Sequence, residues 1–302
     1  MGSLITRELL RRGFETDLYA VRSQITDDDH VQEVYRSLGR PVTIARFGKA
    51  FATALLFLLK RRFRRYDVEL RNVTGENPDL GLRVASKVPY YHGIELIWGY
   101  VKPEKGFVSS PDLLLHAAPG SVLLPRCVNL QLFQKPAAKN FRTKKRIRIG
   151  HFWRRGGLNA DFAFRYFKGT DLLEQALQIL RQRGVDIDYV NQLTPRNQLP
   201  NVLRSLDVLA DQFVVGAYGL PAVEALLLGV PVVGYYRKEL CECAAVYGQV
   251  TKVERKPESI AEGILSASEQ RDKIDTREIE DFHSPKHNVD ILLETLRLWG
   301  KI

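Results

Sequence analysis

At 302 residues and 34.5 kDa, with 45% hydrophobic and 26% charged residues, the chain can bury one large core or two medium ones; its 22 Gly and 14 Pro fit neither disorder nor collagen-like order. The balance of 45 Lys and Arg against 35 Asp and Glu leaves +10, a field that draws phosphorylated substrates, nucleic acid or an acidic membrane face. The three cysteines, Cys127, Cys241 and Cys243, exclude a disulfide framework or a four-cysteine zinc site and favour a reducing compartment. No apolar run reaches about 18 residues and no signal-peptide core follows Met1, so a cytoplasmic protein is expected.

The first third alternates helical and strand patterns. Leu4 to Arg12 has helical spacing and stops at Gly13, and Glu15 to Val21 reads as a short strand. Strands are also predicted at Asp67 to Leu70, Lys87 to Tyr91 and Gly106 to Ser109, each short, β-prone and bounded by turn residues. Alternation of this kind implies a parallel sheet. An α/β domain normally opens with a strand running into a Gly-rich turn; Met1 stands where that turn belongs, so the domain is expected to lack its first strand.

Between these patterns lies Phe51 to Leu59, an apolar helix followed by Lys60, Arg61, Arg62, Phe63, Arg64 and Arg65. Two readings stand: a core helix whose cations suit its C-terminal dipole, or a basic, Phe-bearing segment that contacts anionic lipid.

From Lys139 to Arg148 there are six cations and no acid, leading into the strand Ile147 to Phe152, which opens a second domain. An amphipathic helix follows over Asp171 to Arg183 and stops at Gly184. Val185 to Val190 is a strand, Gln198 to Leu206 a short helix and Val208 to Gln212 another strand, a βαβαβ rhythm.

The most informative passage runs from Asp207 to Gly234. It reads as a strand end, a loop holding Gly216 and Gly219, a helix beginning near Leu220 or Pro221, a stop at Gly229 and a new strand Pro231 to Val233. Such a helix start faces the carboxyl ends of the strands, where free N–H groups and the helix dipole favour a phosphate. Glu224, one turn in, is placed to accept hydrogen bonds from sugar or ribose hydroxyls.

Glu224-Ala225, Gly229 and Pro231-Val232-Val233 resemble the E-A-x-x-x-G-x-P-V-V motif of the family 4 (group 1) glycosyltransferases of the GT-B fold. That family carries a second acid eight positions before the first, where this chain has Gly216. Lys168-Gly169-Thr170-Asp171-Leu172-Leu173 resembles the segment whose lysine, with an upstream arginine, holds the donor diphosphate; Arg154, Arg155 and Arg165 are the candidates for that arginine. Tyr90-Tyr91-His92-Gly93 is similar to the family's strand-end His-Gly, and Ser109 to Leu114 with Leu123 to Leu130 resembles the passage that ends the N-terminal domain.

The resemblance implies an α/β GT-B architecture of two Rossmann-like domains facing across a cleft. Residues 1–140 would form the acceptor side and 141–280 the nucleotide-sugar donor domain, with 281–302 a C-terminal helix packing back on the first. It implies a retaining glycosyltransferase whose partners are a nucleoside-diphosphate sugar and a glycan or lipid-linked acceptor, at the inner face of a membrane if the basic segment docks there. Lys168 and an arginine would hold the diphosphate, aided by backbone around Gly169, Thr170, Gly216, Tyr218, Gly219 and Leu220. Glu224 would hold donor hydroxyls and His92 would face the sugar.

Cations at the leaving group replace a metal in this scheme, and no cofactor or metal is expected; Asp186-Ile187-Asp188 is a strand start. The alternative reading is a non-catalytic relative kept as a membrane- or partner-binding module. No RNP-like strand or recognition motif supports a nucleic-acid partner, and no G-x-G-x-x-G supports a dinucleotide enzyme. His151, at a strand end, lines the cleft or is structural. Pro285 separates His283 from His287, so these read as a polar surface segment, and Cys241 and Cys243 as buried thiols.

Overall fold

The computed structural model describes residues 2–14, 66–73, 84–91, 103–134, 146–152, 165–166, 168–191, 194, 198–240, 244–270 and 273–302. The predicted strand Glu15 to Val21, the helix Phe51 to Leu59, the basic residues Lys60 to Arg65, His92, Arg154, Arg155, Cys241 and Cys243 lie outside them. The chain divides into two compact units, one of residues 1–127 with 285–302 and the other of 128–284.

In the first unit β1 (Tyr66–Val73), β2 (Val84–Tyr91), β3 (Phe107–Val108) and β4 (Val122–Leu123) form a parallel sheet in chain order. The Tyr66↔Val84 to Val73↔Tyr91 register runs the length of β1 and β2, while β3 joins β2 only through Tyr90↔Phe107 and Tyr91↔Val108. The helix Pro285–Leu298 carries Val289, Leu292, Leu293 and Leu296 on one stripe, the i, i+3, i+4, i+7 spacing of a buried face. These pack with Ile5 of the helix Gly2–Arg11 and with Val88, Tyr90, Phe107, Leu124 and Cys127. Arg12 ties the two helices together, donating to Asp290 at 2.6 Å and to the Lys286 carbonyl at 3.1 Å. At the other end Trp299 packs on Phe107, with ring centroids 5.1 Å apart, and Lys105 Nζ lies 4.7 Å over the indole.

The division between units falls earlier than the sequence placed it, after Cys127 rather than after residue 140. The reason is packing: Val128 and Phe133 are buried in the second unit's core, and the Val128 N–H donates to the His283 carbonyl at 3.1 Å. His283 is a second correction. It is 1% exposed, closing the helix Arg277–Phe282 edge-on to Tyr218, and does not stand on a polar surface. Pro285 then begins a separate helix, in the first-turn position where a missing N–H costs nothing.

The second unit holds five parallel strands in the order β6-β5-β7-β8-β9: β5 (Arg146–Gly150), β6 (Asp186–Val190), β7 (Val208–Ala210), β8 (Val232–Gly234) and β9 (Thr251–Lys252). Alternate strand residues bury on opposite faces. Val208, Ala210 and Val233 join Leu173, Leu177 and Leu180 of the helix Thr170–Gln182 and Ile260 and Ile264 of the helix Pro257–Ser268. Leu209 and Val232 join Leu203 of the helix Leu199–Arg204 and Ala222, Val223 and Leu226 of the helix Leu220–Leu227. A parallel sheet covered on both faces explains why its strands read as apolar runs rather than alternating ones. Among the described residues no helix is long and apolar enough to cross a membrane.

Candidate functional site

The first strand of this unit, β5, sits between the second and the third, β6 and β7, so the strand order reverses across the β5–β7 pair. In open α/β sheets ligands bind outside the carboxyl ends of the strands at such a point. The residue leaving β5 there is His151, and the residue leaving β7 is Asp211.

His151 is wholly buried, and both ring nitrogens are engaged: Nδ1 with the Ala210 carbonyl at 2.8 Å and Nε2 with Thr170 Oγ1 at 3.0 Å. A carbonyl oxygen only accepts, so Nδ1 carries the proton and Nε2 accepts from the threonine hydroxyl. Of the two sequence readings of His151 the structure selects the structural one: the imidazole fastens the start of the helix Thr170–Gln182 to the end of β7. Burial first, and then the charge of Lys168, push its pKa down to about 4, against the pull of the Ala210 carbonyl and Asp211. Because the folded value lies below the unfolded one, the unfolded chain takes up this proton first as pH falls from 6.5 to 4. Stability from this group is complete above pH 6.5 and drops by roughly 3 kcal/mol on reaching pH 4. Denaturant unfolding across that range should show the slope in the parent protein and a shallower one in His151→Gln.

Asp211 is 1% exposed and uses its two carboxylate oxygens on two different elements. Oδ1 accepts from Lys168 Nζ at 2.8 Å, and Oδ2 accepts from the Gly219 N–H, also at 2.8 Å. The neighbouring Gln212 donates its side-chain amide to the Ala217 carbonyl, so two adjacent side chains pin the Gly216 to Gly219 loop from beneath. Buried Tyr236 has its hydroxyl pKa pushed well up, by burial first and then by the Asp211 charge. Neither Asp211 nor Gln212 stood out in the sequence, where both were read as the end of a strand. The signal was present: an acid and an amide directly after an apolar strand, at the sheet edge where ligands bind.

The loop's glycines have different reasons. A Cβ on Gly219 would lie 2.9 Å from Asp211 Oδ1 and 3.2 Å from Lys168 Nζ, so the absent side chain lets the helix start approach that pair. Gly216 has φ +82°, and a Cβ there would meet Arg237 Cγ at 2.5 Å and Tyr235 Cε1 at 3.0 Å. The position where the resembled family has its first acid is thus a left-handed turn closed over by Arg237 and Tyr235.

Of the residues singled out in the sequence, Lys168, Gly219 and Leu220 come together and keep partial exposure, Lys168 at 15% of its side chain. Gly169, at φ +70°, caps the helix that begins with buried Thr170. Glu224 lies on the helix Leu220–Leu227 and is wholly buried. The Gly219 N–H, read as a donor to a diphosphate, is taken by Asp211, and Pro221 has none; this leaves the Leu220 N–H among the described first-turn donors. Tyr218 is 7% exposed, its ring 5.2 Å from Tyr247 and 5.8 Å from His283, so its side chain belongs to an aromatic cluster. Arg165 is engaged by Asp171 at 3.0 Å and by Glu174.

No family model matches the chain, and no curated protein matches it. Solved structures do. A glycosyltransferase from Rickettsia africae ESF-5 aligns with a TM-score of 0.60 at 11% identity, covering 99% of this chain and 94% of that one. AviGT4, a glycosyltransferase involved in avilamycin A biosynthesis, aligns with a TM-score of 0.53 at 14% identity over 86% of this chain and 80% of its own. TarM aligns with a TM-score of 0.50 at 14% identity over 82% of this chain and 58% of its own. With its two parallel-sheet units, the chain has the α/β fold of the GT-B glycosyltransferases.

Proposed function

We propose that this protein is a retaining glycosyltransferase that takes a sugar from a nucleoside-diphosphate donor held by the second unit and passes it to a hydroxyl of a glycan or lipid-linked acceptor. The observation that carries the reading is the convergence at the β5–β7 switch point. There the Lys168 ammonium and the partly exposed start of the helix Leu220–Leu227 meet over one buried carboxylate. The likeness of the fold to solved glycosyltransferases supports it.

In this scheme Lys168 keeps two ammonium protons beyond the one given to Asp211, and these with the Leu220 N–H face the diphosphate. The bond between the sugar's anomeric carbon and the diphosphate oxygen breaks, the acceptor oxygen takes the carbon, and the acceptor proton leaves with the diphosphate. Positive charge and helix dipole then stabilise the negative charge that grows on the leaving group, a contribution of several kcal/mol when preorganised. Glu224 is assigned to the donor hydroxyls, and the residues to which the resemblance gives further donor roles, His92, Arg154 and Arg155, lie outside the described residues. No metal is required where cations take the leaving-group charge.

Incubating the protein with UDP-, GDP-, ADP- and TDP-sugars tests this through release of free diphosphate and the anomeric configuration of the product by NMR. One donor is expected to be consumed with retention. Inversion would refute the retaining mechanism. Consumption and binding of none would favour the non-catalytic module, for which Gly216 in place of an acid speaks; vesicle binding through Lys60 to Arg65 would then be the activity to measure.

A further inference from the structure

We infer that Asp211 is a positioning residue of the donor site, acting through Lys168 and through Gly219, the residue that caps the helix Leu220–Leu227. The inference rests on the donor reading above and adds to it a residue that contacts no substrate. The two groups that would meet a diphosphate come from segments far apart in sequence, the Lys168 ammonium before one helix and the Leu220 N–H, next to Gly219, at the start of another. A lysine side chain has four rotatable bonds and, left alone at 15% exposure, would extend to water. One carboxylate fixes both. Its oxygens accept at 2.8 Å from Nζ and at 2.8 Å from the Gly219 N–H, and the missing Cβ at Gly219 lets Nζ sit against the helix start.

The arrangement needs an acceptor on both sides. Asparagine has the same shape but one acceptor oxygen; turned to Lys168, it sets its NH₂ against the Gly219 N–H, and turned to Gly219 it sets NH₂ against an ammonium. Asp211→Asn therefore unfastens one of the two groups, and that one is the partly exposed ammonium, which has water as an alternative, while the oxygen stays on the Gly219 N–H and the volume in the core is nearly the same. The ammonium, close to solvent, can turn outward, so the variant is expected to fold.

The test uses the full chain, with UDP, GDP, ADP and TDP as probes and the matching nucleosides as controls, titrated by calorimetry. Asp211→Asn is expected to weaken diphosphate binding by about tenfold or more, with nucleoside binding unchanged. A general loss of structure would weaken both, and circular dichroism checks the fold. In the Asp211→Asn background, Lys168→Ala should change diphosphate affinity by no more than about twofold, because the lysine is already out of place. Diphosphate binding by Asp211→Asn equal to the parent's, equal loss of nucleoside and diphosphate, or a further tenfold loss in the double variant would each overturn the inference while leaving the donor reading intact. A parent protein that binds no diphosphate would refute the donor reading, and the inference with it.

Discussion

Gly216→Glu, which restores the acid of the resembled family, is expected to destabilise the protein by about 2–5 kcal/mol rather than improve its site. Two costs combine. The backbone at Gly216 has φ +82°, a left-handed conformation that costs a residue with a Cβ roughly 1–2 kcal/mol. The Cβ itself would stand 2.5 Å from Arg237 Cγ and 3.0 Å from Tyr235 Cε1, and crowding of a packed site costs about 1–3 kcal/mol more. The Arg237 N–H donates to the Gly216 carbonyl at 2.9 Å, so the loop cannot turn to a negative φ without losing that bond. Urea unfolding should show the lowered midpoint. A variant as stable as the parent would mean that the loop readily adopts the family's conformation, and the missing acid would then carry no structural meaning.

The second large effect concerns the ion pair. Lys168→Ala leaves the buried Asp211 carboxylate without its cation, with the Gly219 N–H still donating to it. Breaking a buried pair from one side costs about 3–5 kcal/mol; the 15% exposure of Lys168 lets water follow, which places the expected loss near 3 kcal/mol. For a chain of this size that lowers Tm by roughly 6–12 °C. Adding Asp211→Asn removes the stranded charge, and the double variant should regain most of the loss. If the double variant is instead less stable than the parent by the sum of the two single changes, the pair is not coupled as the distances indicate.

Local chemistry made much of the second unit legible in advance. Pro221 inside the helix start and Gly229, φ +72°, just past its end bracket the helix Leu220–Leu227. Leu173, Ala176, Leu177 and Leu180 give the helix Thr170–Gln182 its buried stripe, and Gly184 at φ +80° its stop. Such signals sit within a few residues of the element they specify. Asp211 and His283 were not legible in the same way, since their roles depend on distant partners. Asp211 acts on Lys168, 43 positions away, and a ring that meets His283 is that of Tyr218, on the far side of three α-helices and two strands in the chain. The strand predicted to run to Gln212 ends at Ala210; beyond it the Asp211 N–H still donates to the Val233 carbonyl at 2.9 Å, while the side chains of Asp211 and Gln212 hold the Gly216 to Gly219 loop. The passage Val128 to Phe133 was read with the first unit for a related reason: its apolar residues resemble any other run until the core they enter is known.

The most direct test of the donor reading is thermal denaturation of the parent protein with UDP, GDP, ADP, CMP and TDP, beside the Lys168→Ala/Asp211→Asn variant. Selective binding at about one hundred times Kd adds roughly 2.7 kcal/mol to the folded state. A rise of several degrees is expected with one diphosphate in the parent, and about half that or less in the variant, whose tenfold weaker binding leaves roughly 1.4 kcal/mol or less. The same rise in both proteins, or no rise in the parent with any of the five, would contradict it.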